Sequence, residues 1–147
     1  MTVINFDDEY FMRQALIEAA KAKEENEIPI GCVIVSNNKI IARGHNMSEM
    51  LNDCTSHAEM IAITAAEEFT NSKYLQDCKL YVTVEPCLMC AGAIMWSQIA
   101  EIIYGTRDLK RGYSVFCNPF AKKIKIKGGI LEQECRQLMQ DFFKDKR

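Results

Sequence analysis

Long apolar segments and residues that interrupt regular structure are both scarce in this 147-residue sequence. It contains only 7 Gly and 3 Pro, which argues against collagen-like, low-complexity and disordered chains. No segment approaches the roughly 18 consecutive apolar residues that a membrane-spanning helix needs. The first residues, Met1–Glu9, are acidic where a secretory signal is basic. We therefore expect one domain over residues 1–147, located in the cytoplasm and without membrane contact.

A complete set of disulfide bonds is excluded, because the 7 cysteines are an odd number. A reducing compartment would in any case keep them as thiols. A chain of this length buries roughly 68–70% of the surface that it exposes when unfolded, so its core needs neither a disulfide nor a structural metal. The cysteines are therefore core residues or ligands, and any metal site must serve a chemical purpose.

Basic residues are scarce in the first part of the chain and concentrated at its end. Residues 1–106 carry 7 Lys or Arg against 15 Asp or Glu, whereas residues 107–147 carry 11 against 5. This asymmetry is consistent with a solvated charged face, or with a surface that binds a polyanion such as a nucleic acid. Composition alone leaves both interpretations open.

The hydrophobic pattern predicts helices and strands that alternate along the chain. Helices are predicted from Asp7 or Asp8 to about Lys23, from His57 to Phe69 with Thr55 or Ser56 as cap, from Cys87 to Ser97 with Pro86 at its opening position, and over a final segment that buries Leu131, Cys135, Leu138 and Phe142. Strands are predicted over residues 30–35, 39–42, 80–84, 102–104 and 124–126, with a tight turn at 36–38. This order predicts an α/β fold, a three-layer α/β/α sandwich around a mixed five-stranded sheet.

Two short segments, each at the start of a predicted helix, carry the residue types of a zinc site. One contains His57 and Glu59, and the other contains Cys87 and Cys90. Cysteines three residues apart lie on one face of the first helical turn, where the helix N-terminus favours their thiolate forms. One imidazole and two thiolates suit Zn²⁺ and leave its fourth tetrahedral position open to water.

Glu59 is the expected proton carrier of this site. Zinc lowers the pKa of a bound water to about 7, and a neighbouring carboxylate that is not a ligand can take the proton of that water and pass it on. Residues two apart point to different sides of an ideal helix. His57 and Glu59 can therefore share one site only if His57 lies at the cap, where the backbone is not yet helical.

Two other interpretations of these residues are open. Cys87 and Cys90 have the Cys-x-x-Cys spacing of redox pairs, although redox pairs lack a coupled His-x-Glu segment. Alternatively, Cys54 and His57 could join Cys87 and Cys90 in a closed Cys₃His structural zinc site that admits no water. The structural site would leave Glu59 without a role.

The paired segments His57-Ala58-Glu59 and Pro86-Cys87-Leu88-Met89-Cys90 match the signature of zinc deaminases. Together with residues 27–31, the Asn46 loop, and residues 80–94 and 141–143, they make the chain similar to the bacterial tRNA adenosine deaminases over nearly its whole length. The resemblance implies a cytidine deaminase-like fold with one Zn²⁺ per chain, held by His57, Cys87 and Cys90. It also implies hydrolytic conversion of adenosine to inosine at the wobble position of a tRNA anticodon, with Glu59 as the catalytic residue.

The same resemblance implies how the substrate is held. Asn46 would hydrogen-bond the purine, and Ile30, His45, Val84 and Pro86 would form the wall of the base pocket. Two chains of a homodimer would build the tRNA site. Phosphates would then meet basic residues of the C-terminal quarter, namely Lys122, Lys123, Lys125, Lys127, Lys144, Lys146 and Arg147.

Other functions are also compatible with the zinc residues. Trp96 gives the sequence a likeness to guanine deaminases, so the alternative function is deamination of free guanine, cytosine or a nucleoside. A non-catalytic zinc module that binds RNA is a third possibility. Three loop aromatics, Tyr113, Phe116 and Phe120, could stack on nucleotides or pack against their own domain.

Overall fold

The computed structural model describes residues 5–146 of the chain. Met1–Ile4, which belong to the acidic N-terminal segment, and Arg147, one of the residues expected to meet phosphates, lie outside the described residues. Within the described range, the structure contains no helix with the length and apolar character that crossing a membrane requires.

Residues 5–146 form four α-helices and five strands in the order that the sequence pattern predicts. The helices are α1 (Asp8–Glu24), α2 (Ala58–Thr70), α3 (Leu88–Ser97) and α4 (Glu132–Asp145), and the strands are β1 (Gly31–Ser36), β2 (Lys39–His45), β3 (Cys78–Val84), β4 (Glu101–Thr106) and β5 (Lys125–Lys127). A short 3₁₀ turn at Tyr113–Val115 lies in the long loop between β4 and β5. The predicted α/β class is therefore confirmed.

The strands form one mixed sheet in the order β2-β1-β3-β4-β5. β1 is antiparallel to β2 and to β3, whereas β3, β4 and β5 are parallel to one another. β2 and β3 end beside the start of β1, and β4 ends beside β3, where Val84 pairs with Thr106. The segments that follow β2, β3 and β4 therefore leave the sheet at one edge, which we call the site edge.

Two apolar cores lie on the two faces of the sheet. α2 and α3 cover one face, where Ala62 and Ile94 are fully buried. α1 and α4 contribute to the other face, where Met12 and Cys135 are buried. α1 approaches the sheet most closely at Gly31, since a Cβ there would collide with the α1 backbone. These contacts produce the predicted three layers.

Local sequence signals explain where α1 begins and how the chain turns between β1 and β2. Asp7 is the N-cap of α1, and its carboxylate accepts a hydrogen bond of 2.9 Å from the backbone N–H of Tyr10. Asn37 and Asn38, at φ 50° and 61°, adopt the left-handed conformation that a two-residue turn between β1 and β2 requires. Both features agree with the sequence prediction.

The cap predicted for α2 is wrong. The N-cap is His57 rather than Thr55 or Ser56. Both hydroxyls instead donate hydrogen bonds of 2.8 Å to the carboxylate of Asp53, which closes a turn just before the helix. The N-cap of α2 therefore lies two residues after Thr55 and one residue after Ser56.

Details of α3 and α4 also differ from the prediction. Pro86 lies before Cys87, which is the N-cap of α3, so Pro86 does not open the helix. In α4, Cys135 and Phe142 are buried as expected, whereas Leu138 is only half-buried. Leu131 lies just before the helix as its N-cap, in the left-handed conformation at φ 52°.

Candidate active site

The N-termini of α2 and α3 bring the three predicted ligands together at the site edge. His57 and Cys87 are the N-caps of these helices, and both have extended backbones. The Nδ1 atom of His57 lies 3.5 Å from Sγ of Cys87 and 3.6 Å from Sγ of Cys90. Among the residues that the structure describes, these three form the one group whose potential ligand atoms all lie within 4.8 Å of one another.

This donor set fits a tetrahedral zinc ion. Zn–S bonds of about 2.3 Å and Zn–N bonds of about 2.0–2.1 Å at tetrahedral angles would separate nitrogen from sulfur by about 3.6 Å. Both measured N···S distances match that separation. No fourth His, Cys, Asp or Glu between residues 5 and 146 completes the group. The arrangement is therefore typical of a zinc site with one position left for water or substrate.

The pKa values of Cys87 and Cys90 are shifted in opposite directions. The hydrogen bond that Cys87 accepts from Cys90 lowers the pKa of Cys87 to about 4, against the opposing effect of burial. The same hydrogen bond, together with burial, raises the pKa of Cys90 well above its usual range. The interaction with Cys87 also raises the pKa of the His57 imidazole.

Glu59 lies in the first turn of α2 beside the ligand group and is only 4% exposed. Burial raises its pKa to about 7, although hydrogen bonds from its own backbone N–H and from Cys90 oppose the shift. A carboxyl group with a pKa near neutral can both accept and release a proton at working pH. The geometric condition set by the sequence is met, because His57 has φ −78° and ψ 157° at the cap.

Cys54 is not part of this group. Its side chain is exposed, and its sulfur lies outside the set of ligand atoms formed by His57, Cys87 and Cys90. The closed Cys₃His alternative is therefore wrong for this structure.

Four of the residues expected around the substrate base lie along the site edge. Asn46, 4% exposed, directly follows β2, and its backbone N–H donates to the carbonyl of Ile30 at 3.1 Å. Val84, the last residue of β3, is buried, and so is Pro86 next to the ligand Cys87. Their placement is compatible with a pocket beside the ligands, and their contact with a base stays a prediction.

His45 faces away from the ligand group. Neighbouring residues of a strand point to opposite faces, and Gly44 packs against α2, so His45 points toward α1. Its Nε2 lies 3.0 Å from the carboxylate of Glu25, and its Nδ1 lies 3.4 Å from that of Glu18. Both ring nitrogens thus have partners at the α1 side, and a place in the pocket wall stays a prediction.

The basic residues of the C-terminal quarter do not form one surface around the ligands. Lys125 pairs with the start of β4, at the end of the sheet away from the site edge. Lys127 forms an ion pair of 2.8 Å with Asp8, and Lys146 hydrogen-bonds within the domain. The other described members of the predicted set are exposed: Lys122, Lys123 and Lys144.

The aromatic candidates divide between the core and the surface. Tyr113 and Phe120 are buried and pack edge to face, with ring centroids 5.0 Å apart. Phe116 is 63% exposed and is the loop aromatic that can still stack on a nucleotide. Trp96 is 76% exposed on α3, so it is not a core residue.

Sequence reasoning did not assign two cations of the loop after β4 to the site. An isolated β-bridge joins Gly112 to Cys87, which places the preceding residues of the loop at the site edge. Lys110 and Arg111 are exposed there, and the positive charge of Arg111 partly opposes the rise that Cys87 causes in the pKa of His57. The excess of basic residues after position 106 was a signal for them, but their position depends on how the loop folds.

Comparison with known proteins identifies the family. The model of the cytidine and deoxycytidylate deaminase zinc-binding region matches residues 6–106, which include all three ligands and Glu59. A tRNA-specific adenosine deaminase of Streptococcus pyogenes is 42% identical over 144 residues, which cover 94% of this chain and 91% of that protein. A chloroplastic tRNA(adenine(34)) deaminase of Arabidopsis thaliana is also 42% identical, but this chain spans only 12% of its length.

A solved structure of a related deaminase supports the same family assignment. It comes from studies of A-to-I editing by tRNA:A34 deaminases at the wobble position of transfer RNA, and it is 37% identical to this chain. The two superpose with a TM-score of 0.82, over 88% of this chain and 98% of that one. A zinc-binding deaminase match disfavours the redox interpretation of Cys87 and Cys90. The chain belongs to the cytidine and deoxycytidylate deaminase family of zinc-binding proteins.

Proposed function

We propose that this chain is a zinc-dependent hydrolytic deaminase that converts adenosine to inosine at the wobble position of a tRNA anticodon. The observation that carries the proposal is the open three-residue ligand group with the buried carboxyl group of Glu59 beside it. The substrate is supported by relatives 42% and 37% identical, which are named for adenosine deamination in tRNA.

The reaction exchanges an amino group for oxygen at C6 of the purine. A C–O bond forms from water, the C–N bond breaks, and ammonia leaves. Zinc, when held by His57, Cys87 and Cys90, supplies the positive charge that makes water nucleophilic near neutral pH. Glu59 takes one proton from the attacking water and gives it to the ring, and then transfers the second to the departing amino group.

The base is held by a buried amide and an apolar wall. The side-chain amide of Asn46 hydrogen-bonds the purine edge, and Ile30, Val84 and Pro86 exclude water around the ring. His45, fixed by Glu18 and Glu25, supports the end of β2 from which Asn46 projects. A site that pairs a buried amide with the correct base rejects bases that leave the amide unpaired.

The tRNA backbone meets basic residues outside the pocket. Lys110 and Arg111 lie at the site edge next to Gly112, and the exposed lysines 122, 123 and 144 are further candidates for phosphate contacts elsewhere on the surface. Neutralising phosphates releases counterions, so binding should weaken steeply as salt rises. We propose that the enzyme acts on cytoplasmic tRNA.

A homodimer through α3 is part of the proposal. Leu88 and Trp96, eight residues apart, are 42% and 76% exposed on one face of the helix, with Gly92 between them facing open space. Apolar side chains in such a stripe are typical of a face that a partner covers. A second copy of the chain would then contribute to the tRNA site.

Product analysis on several substrates tests the proposal. Purified wild-type protein is incubated separately with a tRNA transcript, guanine, cytosine and adenosine, and both ammonia and the modified base are measured. We expect inosine at the wobble position of tRNA, with one ammonia released per inosine. Glu59→Ala, as the matched control, should bind zinc and produce neither.

Each alternative has its own signature in this experiment. Ammonia from free guanine, cytosine or adenosine with none from tRNA would replace the proposal with a small-molecule deaminase. Binding of tRNA without ammonia from any substrate would indicate a non-catalytic RNA-binding module. Either result contradicts the proposed activity.

A further inference from the structure

Glu85 is a buried carboxylate that the deamination chemistry does not use. It lies between the end of β3 and the ligand Cys87 and is only 3% exposed. One oxygen accepts the backbone N–H of Asp108 at 3.2 Å, and the other accepts the backbone N–H and the hydroxyl of Ser114 at 3.1 and 2.6 Å. Arg107 Nε lies 3.9 Å away. Both oxygens therefore bind the loop that follows β4.

Further hydrogen bonds from backbone N–H groups hold the loop that follows β4. The carboxylate of Asp108 accepts the backbone N–H groups of Lys110 and Arg111 at 3.0 and 2.9 Å, which folds the segment into a turn. Gly112 packs directly against Glu85, where a Cβ would collide with the carboxylate. Next to it, the N–H of Tyr113 donates to the carbonyl of Pro86 at 2.9 Å.

The loop carries side chains that suit a nucleic acid rather than the protein core. Leu109 and Phe116 are 74% and 63% exposed, and the cations Lys110 and Arg111 stand between them. Gly112, next to Arg111, forms a β-bridge with the ligand residue Cys87, which places this surface beside the site. A mobile loop could not hold these groups in one place over a bound phosphate or base.

We propose that Glu85 is a positioning residue, which fixes residues 107–116 as a rigid substrate-facing wall of the site through its hydrogen bonds to Asp108 and Ser114. The inference deepens the proposed function and rests on it for the identity of the substrate. It assigns Glu85 to the capture of tRNA, with no part in proton transfer. The chemical step should be little affected when this anchor is weakened.

Glu85→Gln tests the anchor at nearly constant shape. An amide keeps one accepting oxygen but turns an NH₂ group toward donors that need the other. Loss of one such interaction is worth about 1.4 kcal/mol, a tenfold change. We expect the KM for tRNA to rise about tenfold while kcat stays within about threefold of wild type. Zinc content should not change.

Limited trypsin digestion measures how accessible residues 107–116 are to cleavage, and it needs no tRNA substrate. The exposed pair Lys110 and Arg111 offers cleavage sites inside the anchored turn, and Glu85→Gln should accelerate cleavage there about tenfold. Ser114→Ala, which removes one donor and leaves Glu85 intact, should accelerate it by about threefold. This milder variant keeps the inference testable if Glu85→Gln does not fold.

Glu27 provides the matched control. It is 1% exposed and accepts the backbone N–H groups of Glu49 and Met50 at 3.0 and 2.7 Å, in the loop after β2. Glu27→Gln makes the same chemical change in a different loop, so cleavage at 110–111 should stay at the wild-type rate. Equal acceleration in both Gln variants would indicate general destabilisation and overturn the proposal.

The anchor role of Glu85 and the proposed function are overturned by different outcomes. Unchanged cleavage at 110–111 in both Glu85→Gln and Ser114→Ala overturns the anchor, whatever substrate the enzyme uses. A kcat that falls a hundredfold with KM unchanged also overturns it, because Glu85 would then act on the chemistry. If wild type forms no inosine, the proposed function fails, while accelerated cleavage would still support the anchor.

Discussion

Two carboxyl groups on opposite faces of the sheet, those of Glu59 and Asp8, have pKa values shifted in opposite directions. On the α2 and α3 face, burial raises the pKa of Glu59 to about 7 in spite of the hydrogen bonds from its own backbone N–H and from Cys90. On the α1 and α4 face, the Tyr81 hydroxyl donates to Asp8 at 2.7 Å, and Lys127 pairs with the same carboxylate at 2.8 Å. Burial would raise the pKa of Asp8, but the hydrogen bonds from Lys127 and Tyr81 lower it.

This difference separates reactivity from stability. Where partners satisfy a polar group, the group stabilises the fold and does little else. Where the effect of burial outweighs the hydrogen bonds that a carboxyl group accepts, the protonated and ionised forms come close in free energy near neutral pH, and the group can move protons. Substitutions on the first face should therefore affect activity, and those on the second should affect stability.

The largest effect is expected at the ligand group. His57→Ala should reduce zinc from one ion per chain to none, and deamination of tRNA should fall at least about 10³-fold, because the charge of the metal is worth several kcal/mol in the transition state. Zinc content by elemental analysis and inosine formation are the measurements. Cys54→Ser, a change at a cysteine outside the group, is the control. Loss of zinc in the Cys54 variant would contradict the open site.

A tenfold effect is expected at the outer face of α3. Trp96→Glu places a charge in the proposed dimer interface, so the protein should become monomeric at micromolar concentration and lose about tenfold in kcat/KM for tRNA, equivalent to about 1.4 kcal/mol. Sedimentation measures the oligomeric state. Ile17→Glu, at an exposed apolar residue of α1, should remain dimeric. A monomeric wild type would contradict this part of the account.

The smallest effect is expected on the α1 and α4 face. Asp8→Asn should lower the free energy of unfolding by about 1 kcal/mol at pH 7, with kcat unchanged, since the carboxylate is partly exposed. Because folding lowers the pKa of Asp8, its contribution is present above the ordinary value of 3.8 and is lost as pH falls through the folded-state pKa. The two proteins should therefore converge in stability at low pH.

Denaturant unfolding between pH 7 and pH 3 measures this difference. Asp145→Asn, at an exposed carboxylate of α4, should match wild type throughout the range. A gap between Asp8→Asn and wild type that widens on acidification would show the wrong sign and refute the linkage.

Local sequence signals were sufficient for most of the fold and for the grouping of His57, Cys87 and Cys90. Element order, the Asp7 cap and the turn at Asn37 and Asn38 follow from short-range preferences that the structure retains. The cap position of His57 followed from the need to face Glu59 two residues later. These features depend on neighbouring residues, so they can be read from sequence.

Features that depend on contacts between residues far apart in the sequence could not be predicted in this way. Glu85 binds the backbone of residues 23 and 29 positions later, and such hydrogen bonds leave no periodic pattern. The burial of Tyr113 beside Phe120 and the contact of His45 with α1 follow from the folded loops and from strand pairing. Thr55 and Ser56 do not cap α2, because both hydroxyls donate hydrogen bonds to Asp53 instead.

The rate of inosine formation by the zinc-loaded Glu59→Gln protein tests the central claim most directly. The amide keeps the shape of the side chain but cannot transfer the proton of water, and general acid–base catalysis is typically worth about 10²–10⁴-fold. The account predicts one zinc per chain, unchanged tRNA binding and a rate lower by that factor. A fully metallated Glu59→Gln protein that deaminates tRNA within tenfold of wild type would contradict it.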